Sequence, residues 1–278
     1  MSQKRVVAIH DISCFGKCSL TVALPILSAC SIECSVIPTA VLSTHTGGFT
    51  GFTFRDLTDD ILGISAHWRK EGITADAFYT GYLGSEKQAE IVKRTIEMLR
   101  TGESIIVVDP AMADGGRLYT GFDSNFPLAM LSLCQAADII VPNITEACLL
   151  TGIEYKEAPY TEEYIENLIK RTADITGADV VLTGVCFDEN RIGAAIYEKG
   201  ELKYALTRRI PVFFHGTGDV FASAMTGALL NDRSLQAAVQ IAVNFTRESI
   251  EKTLEENPER EYGVNFESAI PDLFEVLE

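Results

Sequence analysis

The sequence predicts an α/β protein of three layers, in which a central, mostly parallel sheet carries helices on both faces. Short apolar runs of β-type residues alternate along the chain with amphipathic helical patterns. Several of these runs are apolar throughout, as strands are when helices cover both faces of a parallel sheet. The chain has 278 residues, 47% of them hydrophobic, and contains no low-complexity tract or block of like charge that would mark a linker. We therefore expect one domain over residues 1–278.

The first half of the chain alternates strands with helices. Apolar, β-rich runs predict strands at residues 6–9, 35–41, 77–83, 104–108 and 138–141. Apolar positions at helical spacing predict helices at residues 19–29, 56–69, 85–100 and 125–136. Ser85 and Gln88 form a capping-box pattern that starts the third of these helices. Asp109-Pro110 and Pro142 end the strands that precede them.

The second half repeats the alternation and adds a hairpin. Strands are predicted at residues 179–183, 193–197 and 202–207, and the last two are predicted to pair about Lys199-Gly200. Helices are predicted at residues 161–176, 219–230, 234–254 and 266–277. In sheets of this kind the ligand lies beyond the carboxyl ends of the strands, so the residues that follow each strand are the candidates for function.

The charge of the chain argues against nucleic-acid and anionic membrane partners. The formal net charge is −16, from 39 acidic and 23 basic residues, and we find no basic cluster longer than Arg208-Arg209. A nucleic-acid binder normally gains most of its affinity from such a basic patch. A nucleotide stays compatible with this charge, because a divalent cation and backbone N–H groups can meet its phosphates.

The start of the chain and its cysteines predict a cytoplasmic protein. The first apolar run, residues 6–9, is too short for a signal-peptide core or a membrane span. The seven cysteines are an odd number and are expected to be reduced thiols. Cys14/Cys18 and Cys30/Cys34 have i,i+4 spacing, but a zinc site is disfavoured because metal-site cysteines more often come as CxxC.

The segment with the strongest functional pattern is Gly216-Thr217-Gly218-Asp219, just before a predicted helix. Its glycines allow a tight turn, and the free N–H groups and dipole of the helix start favour an anion there. Asp219 could accept the proton of an attacking hydroxyl. The small residues Ala222, Ser223 and Gly227 would allow close packing near a ligand. An ordinary N-cap at Asp219 explains the same segment about equally well.

Two other strand ends carry polar residues. Asn143 and Glu146 stand three apart, so their oxygens could hold the water shell of Mg²⁺, although a helix cap is the simpler explanation. Asp109 and Asp114 would place two carboxylates beside the same mouth of the sheet, for metal or phosphate chemistry. An Asp-Pro turn with a solvated aspartate explains them as well.

The loops after the first two strands are candidates for binding an acceptor substrate. Residues 9–17 and 43–48 are polar and contain glycines. His45 could contact a ring substituent, but a lone histidine in a loop is more often structural or solvated.

Taken in order, these segments resemble the motifs of the ribokinase-like superfamily, in its vitamin B6 kinase branch. Gly216-Thr217-Gly218-Asp219 resembles the GTGD catalytic turn, and Asn143-Ile144-Thr145-Glu146 resembles the NxxE metal motif. Asp109-Pro110-Ala111-Met112-Ala113-Asp114 resembles the DPVMGD-type segment. Ser43-Thr44-His45-Thr46 and Gly81-Tyr82-Leu83-Gly84-Ser85 resemble the SNHT and GYLGS segments of pyridoxal kinases. The likeness extends over residues 6–230 and implies a ribokinase-like three-layer sandwich.

The resemblance implies a role for each matched position. Asp219 would be the base that acts on the 5′-hydroxymethyl group of a pyridine substrate, during direct in-line transfer from MgATP. The transferring phosphate would be bound by Gly216, Thr217 and Gly218. The nucleotide would be bound by Asp109, Asn143, Glu146 and Thr183, with Asp114 and Glu146 organising Mg²⁺. The acceptor pocket would be lined by Asp11, Thr46 and Tyr82. The resemblance also implies a homodimer.

The sequence departs from the family pattern at two places. Lys17-Cys18-Ser19-Leu20-Thr21 stands where the family commonly has Gly-Asn-x-Ala-Ala, and Asp11 stands where it usually has serine. Asp11 adds an anion near the substrate ring, which predicts a preference for a protonated pyridine or for the aminomethyl group of pyridoxamine.

Three alternatives stay open at this stage. A hydroxymethylpyrimidine (phosphate) kinase shares the fold and chemistry, but commonly has cysteine where Asp219 stands and lacks the SNHT-like segment. A sugar kinase of the superfamily would need a β-sheet lid early in the chain, for which we find no room. A non-catalytic nucleotide- or vitamer-binding protein on the same scaffold is disfavoured by the intact Asp219.

Overall fold

The computed structural model describes residues 3–257, 259–260 and 262–277. Every strand and helix predicted from the sequence is present, with ends shifted by a few residues. The strands are β1 (Arg5–Ser13), β2 (Glu33–Leu42), β3 (Phe54–Asp56), β4 (Ala75–Thr80), β5 (Arg100–Val108), β6 (Ala113–Asp114), β7 (Arg117–Leu118), β8 (Ile139–Ile140), β9 (Asp179–Val185), β10 (Arg191–Glu198) and β11 (Glu201–Arg208). The helices are α1 (Leu20–Ala29), α2 (Thr58–Lys70), α3 (Glu86–Leu99), α4 (Phe126–Cys134), α5 (Ile144–Thr151), α6 (Glu162–Thr176), α7 (Thr217–Leu230), α8 (Leu235–Glu256) and α9 (Ile270–Leu277).

One nine-stranded sheet organises the chain, in the order β11-β10-β9-β8-β5-β4-β1-β2-β3. The pairs from β9 to β2 are all parallel, whereas β10, β11 and β3 are joined antiparallel at the two sides. The carboxyl ends of the six parallel strands therefore lie along a single edge. The predicted mostly parallel sheet is confirmed, including the hairpin about Lys199-Gly200.

Each face of the sheet buries its own hydrophobic core, which makes the three predicted layers. Alternate residues of β1 point to opposite faces: Val6 belongs to one core and Val7 to the other. The first core joins the sheet to α1, α7, α8 and α9, and the second joins it to α2, α3, α4, α5 and α6. Strands covered on both faces are apolar throughout, as the sequence pattern indicated.

The structure differs from the sequence prediction at short elements. The residues before α2 form the edge strand β3, which pairs with β2. Edge strands are often very short and carry charged residues, as β3 does. The strand predicted to reach residue 83 ends at Thr80, where the chain turns away from the sheet. Ser85 accepts the N–H of Gln88 as predicted, but the Gln88 side chain accepts from the Gly84 N–H at 2.7 Å. None of the helices in the described part of the chain is both long and apolar enough to span a membrane.

Gly227 allows two helices to pack closely. Its small size had suggested close packing near a ligand instead. It lies in the interior of α7, where a Cβ atom would be 2.4 Å from Sγ of Cys30 and 2.9 Å from its Cβ. Cys30 is buried at the end of α1, so the absence of a side chain at Gly227 lets α1 and α7 approach each other. These two helices hold the loops at the carboxyl edge of the sheet.

We expect Gly227→Ala to lower the free energy of unfolding by about 1–3 kcal/mol, because the added methyl group overpacks the contact with Cys30. Gly63→Ala in α2 is the matched control, since a Cβ atom there meets nothing within 4 Å. The control should gain about 0.5–1 kcal/mol from helix propensity alone. Urea titrations of both variants measure the pair, and equal gains at the two sites would contradict the packing argument.

Candidate active site

A cavity of about 450 Å³ lies at the carboxyl edge of the sheet, within the usual size of small-molecule sites. It is walled by the strand ends after β5, β8 and β9, by the start of α7 and by α8. Nine of the residues singled out in the sequence line it: Asp109, Asp114, Asn143, Glu146, Thr183, Gly216, Thr217, Gly218 and Asp219. Parallel strands bring these distant segments together because their carboxyl ends share one edge.

The turn at Gly216 leaves the first N–H groups of α7 open to this cavity. Gly216 is the N-cap residue, with φ 78° in the left-handed region, and no side chain in the described chain caps the helix. A Cβ atom at Gly216 would be 1.9 Å from the carbonyl oxygen of Lys17, so only glycine fits the turn. Asp219 is the third residue of the helix, and the simple N-cap interpretation of it is wrong. Free N–H groups at the start of a helix favour an anion.

Asp219 is a carboxylate with a strongly altered ionisation. Burial and the nearby charge of Asp11 raise the pKa of Asp219 to about 7, and the backbone N–H of Ser19 opposes this shift. A carboxylate with a pKa near neutrality is well matched to accept a proton from an alcohol. Asp219 lines the cavity on one side and has Asp11 on the other.

Asn143 and Glu146 form a complete capping box at the start of α5, so the simpler explanation weighed from the sequence is confirmed. Glu146 is buried and accepts three backbone N–H groups: Asn143 at 2.9 Å, Met112 at 3.0 Å and Ala113 at 3.4 Å. The Asn143 amide also donates to the Ala113 carbonyl at 2.8 Å. Both residues therefore tie α5 to the segment that carries Asp114.

Negative charge is concentrated at the mouth of the sheet. Burial, together with the charges of Glu146 and Asp219, raises the pKa of Asp109 well above its usual range. Burial also raises the pKa of Glu146, against the effect of its three N–H donors. The two arginines that line the cavity, Arg208 and Arg247, are both ion-paired with Glu251 of α8. The carboxylates are thus left without a basic partner from that wall.

These carboxylates fit Mg²⁺ better than a metal held by a full protein cage. Among the described residues, no three His, Cys, Asp or Glu side chains converge on one point. Mg²⁺ usually takes one or two carboxylates together with substrate phosphates and keeps several waters. Asp109 and Asp114 both line the cavity. Asp114 is exposed and, within the described chain, only its Oδ1 accepts an N–H, that of Gly115 at 2.7 Å, whereas both oxygens of buried Glu146 are engaged by N–H groups. This donor set suits a cation that arrives with phosphates.

The residues expected to contact an acceptor lie outside the cavity and are not all together. Asp11 is buried, accepts the Ser13 hydroxyl at 2.9 Å and is close enough to Tyr82 to raise the pKa of that phenol to about 12, an effect to which burial contributes most. The Tyr82 ring stacks on Phe122 with centroids 5.5 Å apart. Thr46, in contrast, is exposed on the loop after β2.

His45 is the buried member of the loop that carries Thr46. Its ring fills the space beside Gly16 and lies 5.4 Å from the His215 ring, centroid to centroid. Burial and the neighbouring His215 lower the pKa of His45 to about 4. The structural interpretation of His45 is therefore favoured over a role in binding a ring substituent.

Sequence reasoning missed the apolar end of the cavity. Its lining there comes from β10, the segment after β11 and α8: Ile192, Ile210, Val212, Val243 and Ile250. In the sequence these residues look like any apolar core residues, and only their position at the end of the β10–β11 hairpin marks them as cavity lining. Ser19 was also missed. Its φ of 55° is unusual for a residue other than glycine, and its N–H faces Asp219, but both are features of the structure and not of the sequence.

The chain is similar over most of its length to known kinases. The family model for phosphomethylpyrimidine kinase matches residues 24–263. A hydroxymethylpyrimidine/phosphomethylpyrimidine kinase of Bacillus subtilis is 30% identical over 219 residues, covering 78% of this chain and 78% of that protein. The crystal structure of pyridoxal kinase from Lactobacillus plantarum has a TM-score of 0.91 at 32% identity and covers 99% of this chain and 98% of that one. A provisionally assigned phosphomethylpyrimidine kinase from Bacteroides thetaiotaomicron, crystallised with pyridoxal, has a TM-score of 0.92 at 37% identity and covers 98% of this chain and 96% of that one.

The raised pKa of Asp219 has a consequence for stability. Its folded-state pKa of about 7 lies above the ordinary aspartate value of 3.8, so the folded protein keeps a proton on Asp219 at pH values between these two. Ionised Asp219 therefore destabilises the fold, and stability is lost as pH rises through this window. We expect Asp219→Asn to raise the free energy of unfolding by about 1–3 kcal/mol near pH 8 and to have almost no effect near pH 4.

Urea unfolding at several pH values measures this difference. Asp60→Asn, at an exposed position in the first turn of α2, is the control. A gain in stability that is the same at all pH values, or that appears equally in the control, would contradict the prediction.

Proposed function

The chain belongs to the phosphomethylpyrimidine kinase family of the ribokinase-like superfamily and is an ATP-dependent kinase of a hydroxyl group, and we propose that its acceptor is the 5′-hydroxymethyl group of a vitamin B6 vitamer. At the coarser level it is a vitamin B6 or pyrimidine kinase. The observation that carries the proposal is Asp219, which lines the cavity in the first turn of α7 and lies close to buried Asp11, as the half-buried Tyr82 does.

The proposed reaction is a direct in-line transfer without a covalent enzyme intermediate. Asp219 takes the proton of the acceptor hydroxyl as the hydroxyl oxygen bonds to the γ-phosphorus of ATP. The bond from that phosphorus to the β,γ-bridging oxygen breaks, and ADP leaves. The N–H groups of Thr217 and Gly218, at the start of α7, stabilise the charge on the transferring phosphoryl group. The pKa of Asp219 near 7 supports this role, since the carboxylate is then a strong enough base at neutral pH.

We propose Asp109 and Asp114 as the residues that hold Mg²⁺, with Asn143 and Thr183 on the nucleotide wall beside them. When bound, the ion would neutralise phosphate charge and orient the β- and γ-phosphates. Glu146 adds negative charge nearby while it keeps its three N–H bonds. Asn143 and Thr183 are adjacent across a parallel bridge, which places both at the same strand end.

The choice of a pyridine acceptor is supported by the surroundings of Asp219 and by two relatives. Tyr82 and its stacked partner Phe122 offer aromatic surface near Asp11. The Lactobacillus plantarum structure is a pyridoxal kinase, and the Bacteroides thetaiotaomicron crystal contains pyridoxal. A hydroxymethylpyrimidine acceptor is the second candidate, because the family model and the Bacillus subtilis relative carry that activity in their names. The homodimer and the cytoplasmic location stay predictions.

The proposal is tested by ATP consumption with Mg²⁺ against pyridoxal, pyridoxine, pyridoxamine and hydroxymethylpyrimidine, with ribose as a control. We expect turnover with at least one vitamer. Asp219→Asn should lower kcat by about 10²–10⁴-fold, because both the base and its hydrogen bond to the acceptor are lost. EDTA should abolish turnover by both proteins.

Each other outcome has a definite meaning. Turnover with the pyrimidine alone would replace the acceptor and keep the mechanism. Near-normal kcat in Asp219→Asn would remove Asp219 as the base. Well-folded protein that turns over none of these compounds would support a binding protein on this scaffold.

Asp11 is proposed to set the preference among vitamers. An anion at this buried position favours a cationic aminomethyl group or a protonated ring, and a hydrogen bond to a charged group is worth about 1.5–3 kcal/mol. We expect Asp11→Ser and Asp11→Asn to shift the ratio of kcat/KM for pyridoxal over pyridoxamine toward pyridoxal by about 10-fold. Because Asp11 also acts on Asp219, both rates can change together. An unchanged ratio in both variants would sink the assignment.

A further inference from the structure

The carboxylate of Asp114 is carried by a very small hairpin. Strands β6 and β7 contribute two residues each, and Asp114 pairs with Arg117 across the Gly115-Gly116 turn. Both glycines have positive φ, 55° and 78°, as a two-residue hairpin turn of this kind requires. The Asp114 carboxylate is fixed to this turn, because its Oδ1 accepts the Gly115 N–H at 2.7 Å. An isolated pair of strands this short is not stable by itself, so the position of the turn, and with it the direction of Asp114, depends on what the hairpin is attached to.

Side chains at the start of α5 make that attachment, and two of them hold the base of the hairpin. Glu146 accepts the N–H groups of Met112 and Ala113, and Asn143 donates to the Ala113 carbonyl. All of these contacts hold the base of the hairpin, on the β5 side of Asp114. These contacts do not hold the turn of the hairpin.

The turn itself is held by Thr145. The N–H of Gly116 donates to Oγ1 of Thr145 at 3.0 Å, and the Thr145 side chain is buried at 3% exposure. On the other side the Tyr155 ring fills the space beside Gly116, where a Cβ atom would be only 2.9 Å from the ring. Asp114 thus lies between a base fixed by Glu146 and a turn fixed by Thr145.

We propose that Thr145 is a positioning residue for phosphoryl transfer: its hydroxyl oxygen holds the Gly115-Gly116 turn so that the Asp114 carboxylate stays in the wall of the nucleotide cavity. The inference rests on the proposed role of Asp114 toward Mg²⁺. Thr145 itself touches neither metal nor substrate in this account, and it acts only through the hairpin.

The chemistry of the contact allows a sharp set of variants. Thr145→Val keeps the shape of the side chain and removes the acceptor oxygen, and Thr145→Ser keeps the oxygen. Gly116 is exposed, so its N–H can bond to water in Thr145→Val, and the global stability should change little. Thr172→Val in α6 is the matched control, because its buried hydroxyl bonds only to the Leu168 carbonyl of its own helix.

The first measurement uses the metal-free, nucleotide-free protein. We expect the Gly116 amide to exchange its hydrogen about 10-fold faster in Thr145→Val than in the wild type, Thr145→Ser or Thr172→Val. The second is calorimetric titration of ADP at graded Mg²⁺. The Mg²⁺ concentration for half-maximal ADP affinity should rise about 10-fold in Thr145→Val and recover in Thr145→Ser, as expected when a supporting contact to a metal ligand is lost.

A double-mutant comparison with Asp114→Asn separates this proposal from the function on which it rests. We expect Asp114→Asn to raise the Mg²⁺ concentration needed for half-maximal ADP affinity. In the Asp114→Asn background, Thr145→Val should raise it no further. If Asp114→Asn leaves the Mg²⁺ dependence unchanged, the proposed metal role of Asp114 is wrong. If Asp114→Asn acts but Thr145→Val does not, or if Thr145→Val acts equally in both backgrounds, Thr145 does not position Asp114.

Discussion

Electrostatic repulsion among poorly solvated carboxylates at the carboxyl edge of the sheet is the constraint on which the arrangement of the site depends. Asp109, Glu146 and Asp219 come from three different segments, and burial raises the pKa of each. Bringing these carboxylates together lowers the stability of the fold, since like charges in a poorly solvated site repel strongly. A divalent cation would offset this negative charge, and a carboxylate with a raised pKa can accept a proton from a hydroxyl group.

The surrounding structure limits this repulsion without cancelling it. Glu146 is stabilised by three N–H groups, and α8 supplies Glu251 to occupy the arginines that could otherwise neutralise the cavity. The start of α7 faces the same space with its N–H groups, held open by a glycine pressed against the Lys17 carbonyl. Under the proposed function these N–H groups are in place before a nucleotide binds, which is the preorganisation that phosphoryl transfer requires.

Much of this could be predicted from the sequence, because apolar runs and helical periodicity determine the layers and parallel strand ends define the site. Eight of the nine cavity residues named above were found that way, and Thr183 came from the family resemblance. The rest depended on contacts that letters do not encode. Asn143 and Glu146 suggested a metal motif or a cap, and only the coordinates show that they also anchor the hairpin that carries Asp114. Gly227 suggested closeness to a ligand, but its neighbour is Cys30 of another helix. The apolar end of the cavity resembles any core segment until the β10–β11 hairpin folds over it.

The strand order divides the molecule into two halves with different freedoms. β8 to β11 and α8 wall the cavity. Asp11 lies near the end of β1, and Thr46 and Tyr82 lie in the segments after β2 and β4. The start of α7 contributes to the cavity and, through Asp219, is close to Asp11. Asp11 and Asp219 couple the two halves, whereas Thr46 and Tyr82 lie outside the cavity. Under the proposed function, the acceptor can therefore change through the segments after β2 and β4 while the proposed nucleotide wall is kept. Kinases named for pyridoxal and for hydroxymethylpyrimidine both resemble this chain over most of its length.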